Sequence, residues 1–218
     1  MLTAGDSDSL IVRKITFDDK NAVNKILEEH FFQIEPLNVA TGASVADLFG
    51  ITNGMTEDPF MMNNSVGAFT KEGEIVGLRL VGLFERSADK IETNNNEDAS
   101  NDDSPAIKIM QVLGAGKIGI YNELPPNINT LLSTEISIVQ KKYSRQGIAS
   151  KLEVFGNDHI KANFPNVQGI IVEATSIANQ KLMTKMGYKC FRKIMYEDFK
   201  VGLGPDGSDS VETYITLF

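Results

Sequence analysis

Two groups of residues in this 218-residue chain have types and spacing that could do chemistry. The first is Ser144-Arg145-Gln146-Gly147-Ile148-Ala149, and its chemistry would be anion binding. It follows Ile136, Ile138 and Val139, a β-branched run that predicts a buried strand. It opens an apolar-periodic helix carrying Leu152, Phe155 and Ile160. The first amides of a helix have no partner inside it, and together with the helix dipole they form a site for phosphate. Gly147 has no Cβ, so a bulky anion can come close to the backbone there. The plainer reading is a strand-to-helix turn with a packing glycine. The second group is Phe31-Phe32 followed by Glu35-Pro36-Leu37-Asn38. Glu35 falls at a corner between two predicted helices in apolar surroundings, where a carboxylate either caps the second helix or takes a proton as a general base.

The elements that must position these residues follow from periodicity. Residues 10–15 predict a first strand, and Thr16 to Asp19 cap a helix with Val23, Ile26, Leu27, His30, Phe31 and Ile34 at helical spacing. His30 reads as a packed histidine. Pro36 biases Glu35 away from helical geometry and starts a helix over 36–49. Strands follow at 65–70 and 75–84, joined by a hairpin turn at 71–74. Residues 87–104, rich in Asn and Asp, predict a mobile acidic loop, and a helix begins near Pro105. After Pro125-Pro126 come the fourth strand with Ile136–Val139, a helix over 147–163 and a fifth strand over 167–174. A short helix at 179–186 stops at Gly187. Two closing strands, 189–201 and 211–217, flank a Gly/Asp-rich turn at 202–210.

Composition excludes more than it selects. A chain with 42% hydrophobic residues can fill one core. A net charge of −8 argues against nucleic-acid and anionic-membrane partners and suits small cationic amines. Cys190 is the one cysteine, which forbids an intrachain disulfide and points to a reducing, cytoplasmic setting; its strand position reads as buried packing. Residues 1–9 predict a loose acidic leader without a signal peptide, and no apolar run approaches the length of a membrane span. The two histidines, His30 and His159, are far apart, so no metal is expected.

The turn at 144–149 resembles the acyl-CoA pyrophosphate loop of the GNAT superfamily, the acetyl-CoA-dependent N-acyltransferases. The pattern there is Gln or Arg, two residues, Gly, one residue, then Gly or Ala. Gly147 and Ala149 fit, while Ser144 replaces the usual Gln or Arg and Arg145 comes one place late. The segment from Ser176 to Tyr188 resembles a later family motif, a helix ending in Lys185-Met186-Gly187-Tyr188. Ser176 stands where Asn is common, and Met183 where many members carry the tyrosine that protonates the departing thiolate. The Glu35-Pro36-Leu37-Asn38 corner is similar to that of insect-type arylalkylamine N-acetyltransferases, which also have methionine in place of that tyrosine. Their catalytic or substrate-binding serines match Thr175 and Asn179 here.

The resemblance implies one mixed α/β domain over residues 10–218. Its central, mostly antiparallel sheet would be splayed between the fourth and fifth strands and flanked by helices. It implies acetyl-CoA as co-substrate, held by the amides of Arg145 to Ala149 with Ser144. Asn179, Lys181 and Lys185 would assist, and a backbone N–H near Ile138 or Val139 would polarise the thioester. Glu35 would be the base, with Phe31 and Phe32 lining the amine site. Thr175, Ser176 or water would supply the thiolate's proton. The implied reaction is direct acetylation of a small primary amine, arylalkylamines such as dopamine, serotonin or tyramine first. Polyamines, other aliphatic amines, or an idle CoA-binding module are the alternatives.

Overall fold

The structure, a computed structural model, describes residues 10–89 and 103–218. The acidic leader at 1–9 and most of the acidic loop, 90–102, lie outside the described residues. Where the loop was expected to begin, residues 86–89 instead form a helical turn. Buried Asp89 accepts hydrogen bonds there from the backbone amides of Gly119 at 2.5 Å and Tyr121 at 3.1 Å. A buried carboxylate needs such donors, and its need ties the turn down.

The β-branched and apolar runs form seven strands: β1 (Ile11–Lys14), β2 (Val66–Phe69), β3 (Ile75–Glu85), β4 (Thr130–Val139), β5 (Gly169–Ala174), β6 (Lys189–Met195) and β7 (Ser210–Leu217). They lie in the order β1-β2-β3-β4-β5-β7-β6. The pairs β1–β2, β2–β3, β5–β7 and β6–β7 are antiparallel, whereas β4 and β5 run parallel. Strand β2 is buried at every residue, as expected of a strand covered on both faces. Strand β6 ends the order, and none of its side chains is buried. Cys190 is accordingly exposed, which corrects its reading as buried packing.

The helix predicted up to Ile34 forms as α1 (Lys20–Ile26), a π-helical turn at Leu27–Phe31, and α2 (Phe32–Ile34). The single helix predicted over 36–49 is divided. Helix α3 (Pro36–Thr41) closes at Gly42 with φ 72°, and α4 (Val45–Glu57) starts after a capping box. In that box Asp47 accepts from the Ser44 amide at 2.8 Å, and Ser44 Oγ accepts from the Asp47 amide at 3.3 Å. Among the described residues, α5 (Pro59–Asn64) is followed by the longer helices α6 (Pro105–Lys117), α7 (Ile148–Asn163) and α8 (Ile177–Lys185).

Two compact units share the described chain. The first comprises residues 10–31, Phe49–Gly82 and Thr134–Pro165, and one of its clusters joins Val66, Ala68, Val76, Ile148 and Leu152. The second comprises Phe32–Leu48, residues 83–89 and 103–133, and Asn166–Phe218. Its cluster includes Phe84, Ile120, Tyr121, Leu131, Ile171 and Ile215, with the Phe84 and Tyr121 rings stacked at 5.2 Å.

Candidate active site

Pro36 at the first position of α3 fixes the local geometry of Glu35, which takes φ −65° and ψ 124° and becomes the N-cap. The Glu35 carboxylate accepts from the amide of Leu37 at 3.1 Å and of Asn38 at 2.6 Å. It also accepts from the Thr175 hydroxyl. These bonds favour the charged form, but burial outweighs them and, helped by the negative charge of Asp206, pushes the Glu35 pKa above its usual 4.5. The helix cap is therefore also a carboxylate with raised proton affinity. Its carboxylate is held in place by main-chain donors yet is more basic than a surface glutamate.

This shift has a consequence for stability. The unfolded chain ionises Glu35 near 4.5, whereas the folded chain resists ionising it until higher pH. Folded wild type therefore loses stability as pH rises from the unfolded value through the folded one. Glu35→Gln escapes that loss, so its stability relative to wild type should improve from pH 4 to pH 7.5 in urea unfolding. A pH-independent difference would show that the carboxyl is not perturbed.

The second wall comes from the junction of β5 and α8. Thr175 precedes Ser176, the N-cap of α8, whose Oγ accepts from the Asn179 amide at 3.1 Å. Asn179 thus spends its amide on the cap, and the Ser176 hydroxyl has a structural task. Ser176→Ala should cost about 1 kcal/mol of stability and leave kcat near wild type. A kcat lowered about ten-fold or more in the folded variant would restore it as a proton carrier.

Three further residues were not anticipated. The strand predicted over 189–201 ends at Met195, and the chain turns through a 3₁₀ helix at Tyr196–Phe199. Tyr196 is buried there and its hydroxyl donates to the Thr175 carbonyl at 3.2 Å. Burial first, then the nearby Glu35 charge, raises the Tyr196 pKa, so the phenol stays protonated as a donor. The turn at 202–210 also does more than connect strands. Asp206 accepts from the amides of Ile177 at 2.9 Å and Ser208 at 3.1 Å, which pins the turn to the start of α8. Burial alone would raise the Asp206 pKa, but the Ser208 side chain and these amides prevail and hold it below its usual value. Gly204 lies so close to the corner that a Cβ there would stand 2.9 Å from Pro36 Cβ. Glu35, Thr175, Tyr196, Asp206 and Ser208 thus converge within the second unit.

The first unit holds the other group. Gly147 caps α7 with φ 74°, and Arg145 also lies in the left-handed region at 62°. Left-handed residues in such a turn aim successive amides at one point, the geometry that holds anions. Space in front of Gly147 is open, because a Cβ there meets nothing within 4 Å. The base of the turn is anchored: Gln140 donates from its amide to Val76 O at 2.9 Å and from Nε2 to Ile75 O at 2.8 Å. Ser144, Arg145 and Gly147 are exposed, Gln146 is partly covered, and Ile148 and Ala149 start the helix. Ile138 and Val139 lie at the end of β4, Ile138 buried and Val139 packed against the first unit's cluster. Lys181 and Lys185 are exposed on α8 in the second unit; Phe32 is buried and Phe31 partly so. Among the described residues no group of three His, Cys, Asp or Glu could hold a metal ion.

No protein-family model matches the chain. Solved structures do. An arylalkylamine N-acetyltransferase 2 from Aedes aegypti superposes with a TM-score of 0.80 at 19% identity, over 95% of this chain and 98% of its own. The fold is the GNAT fold. A Drosophila melanogaster polyamine N-acetyltransferase that forms N-acetylagmatine shares this GNAT fold at a TM-score of 0.76 and 15% identity, over 96% and 100% of the two chains. An Arabidopsis thaliana protein, NAA60, in complex with acetyl-CoA matches at 0.55 and 14% identity, over 96% and 99%. At such identities the likeness is one of GNAT architecture.

Proposed function

We propose that this chain is an acetyl-CoA-dependent N-acetyltransferase for small primary amines, arylalkylamines first, with Glu35 as general base. The observation that carries the proposal is the partly buried Glu35 carboxyl, fixed at the start of α3 by the Leu37 and Asn38 amides and hydrogen-bonded by Thr175. An alkylamine is an ammonium ion at neutral pH, with a pKa near that of lysine, about 10.4. Glu35 attracts that cation and takes its proton, directly or through one water, freeing the nitrogen lone pair for attack. Acetyl-CoA, when bound, supplies the acetyl group as a reactive thioester. The Gly147 turn fits its pyrophosphate, since it opens helix α7 and the space where a side chain at Gly147 would begin is free. A backbone N–H near Ile138 or Val139 polarises the carbonyl. As the C–N bond forms, the acetyl C–S bond breaks, and Thr175, which donates to Glu35, can relay the proton taken from the amine toward the departing thiolate, leaving amide and CoA thiol. Tyr196 holds the Thr175 backbone, so Tyr196→Phe should lower kcat several-fold with little change in KM for acetyl-CoA; unchanged kcat would remove it from this role.

The exposed free thiol of Cys190 suits a reducing compartment such as the cytoplasm. Among the described residues, no helix is long and apolar enough to cross a membrane.

One observation favours a second acceptor class. Asp206 stays ionised beside Glu35 and offers a fixed negative charge to the distal ammonium of a polyamine. A thiol-release assay with acetyl-CoA against dopamine, serotonin, tyramine, spermidine and a lysine peptide separates the readings. Release with the aromatic amines supports the first, release with spermidine alone the second. Binding of CoA without release on any amine would leave an idle module.

A further inference from the structure

Helix α7, which begins at the Gly147 turn, meets the sheet through a charged contact as well as through apolar side chains. Arg79 on β3 and Glu153 on α7 are each 1% exposed at the side chain, with Arg79 Nε 2.9 Å from Glu153 Oε1. The same guanidinium donates to Thr134 Oγ1 on β4, from Nε at 3.2 Å and from Nη2 at 2.9 Å. Further along α7, Gly156 leaves it room, since a Cβ there would stand 2.6 Å from Nη1.

Stability is a weak explanation for this arrangement. Desolvating two charges offsets most of their attraction, and well-packed apolar replacements of buried pairs are often neutral or stabilising. What the pair supplies is geometry. The guanidinium is planar and already oriented by its donation to Thr134, so its ion pair with Glu153 restricts the rotation and axial position of α7. The apolar face of Ile148, Leu152 and Ile160 alone would tolerate sliding and rotation. From Glu153 back to Gly147 is about 9 Å of helix at the usual rise, so a shift at the pair arrives undiminished at the turn. We infer that Arg79 and Glu153 are a positioning pair, which sets the register of α7 and thereby aims the amides after Gly147 at the CoA pyrophosphate. This rests on the reading of that turn given above.

The test uses the full-length chain carrying Arg79→Met and Glu153→Leu together, so that no charge is stranded. Two donors are compared: acetyl-CoA, and S-acetylpantetheine, which lacks the pyrophosphate. The KM for acetyl-CoA should rise about ten-fold or more, as misplaced binding groups do, while kcat at saturation and kcat/KM for S-acetylpantetheine stay near wild type. Gly156→Ala, which displaces the guanidinium without changing charge, should give the same donor-selective defect, and it decides the matter if the double variant does not fold. An unchanged KM for acetyl-CoA overturns the inference, as does an equal loss with both donors, which would mark a merely structural pair. Wild type that fails to bind CoA in calorimetry would overturn the reading of the turn itself, and the inference with it.

Discussion

Glu35→Gln should lower kcat/KM for the amine by about 10²–10⁴-fold, the usual contribution of a positioned general base. The substitution keeps the size of the side chain and one of its two acceptor oxygens; because the Leu37 and Asn38 amides bind different carboxylate oxygens, α3 keeps one of these two cap bonds. What it removes is proton affinity. With Glu35 as the base, wild-type activity would require the ionised carboxylate, and burial places its titration above the ordinary 4.5. The kcat/KM profile should therefore fall as pH drops through that raised value. In Glu35→Gln the residual rate should lose this acid limb and follow only the free amine fraction. An acid limb of unchanged position in the variant would assign it to another group.

Gly147→Glu should raise KM for acetyl-CoA by about 10²-fold or more, since each lost hydrogen bond to a charged group is worth about 1.5–3 kcal/mol. Two effects combine. Any side chain at φ 74° strains the backbone by roughly 1–2 kcal/mol, and a carboxylate in the open space before the turn repels phosphate. Gly147→Ala carries the strain without the charge and should raise KM less. S-acetylpantetheine should be used equally well by wild type and both variants. Equal KM values for acetyl-CoA in wild type and Gly147→Glu would exclude this turn as the pyrophosphate site.

The helix start at Pro36 and the strand-to-helix turn at Gly147 are legible because their signals are local: Pro36 biases Glu35 out of helical geometry, and the apolar periodicity begins just after Gly147. Helix α3 was over-extended because Gly42 and the Ser44–Asp47 box are weak against the apolar spacing that continues into α4. Tyr196, Asp206 and Ser208 escaped notice because their importance is tertiary. They belong to a connection far along the chain, and only folding brings it against Pro36 and Thr175. Cys190 was misplaced for the same reason: periodicity gives the alternation of a strand but not whether the strand ends the sheet. Arg79 and Glu153 lie 74 residues apart, and nothing local marks either charge as buried.

The most direct test is a crystal structure with CoA and a bound amine. The amine nitrogen should lie within about 2.6–3.2 Å of the Glu35 carboxylate, or be joined to it through one water. A nitrogen bound elsewhere, with Glu35 engaged only by Leu37, Asn38 and Thr175, would contradict the assignment and leave the carboxylate a helix cap.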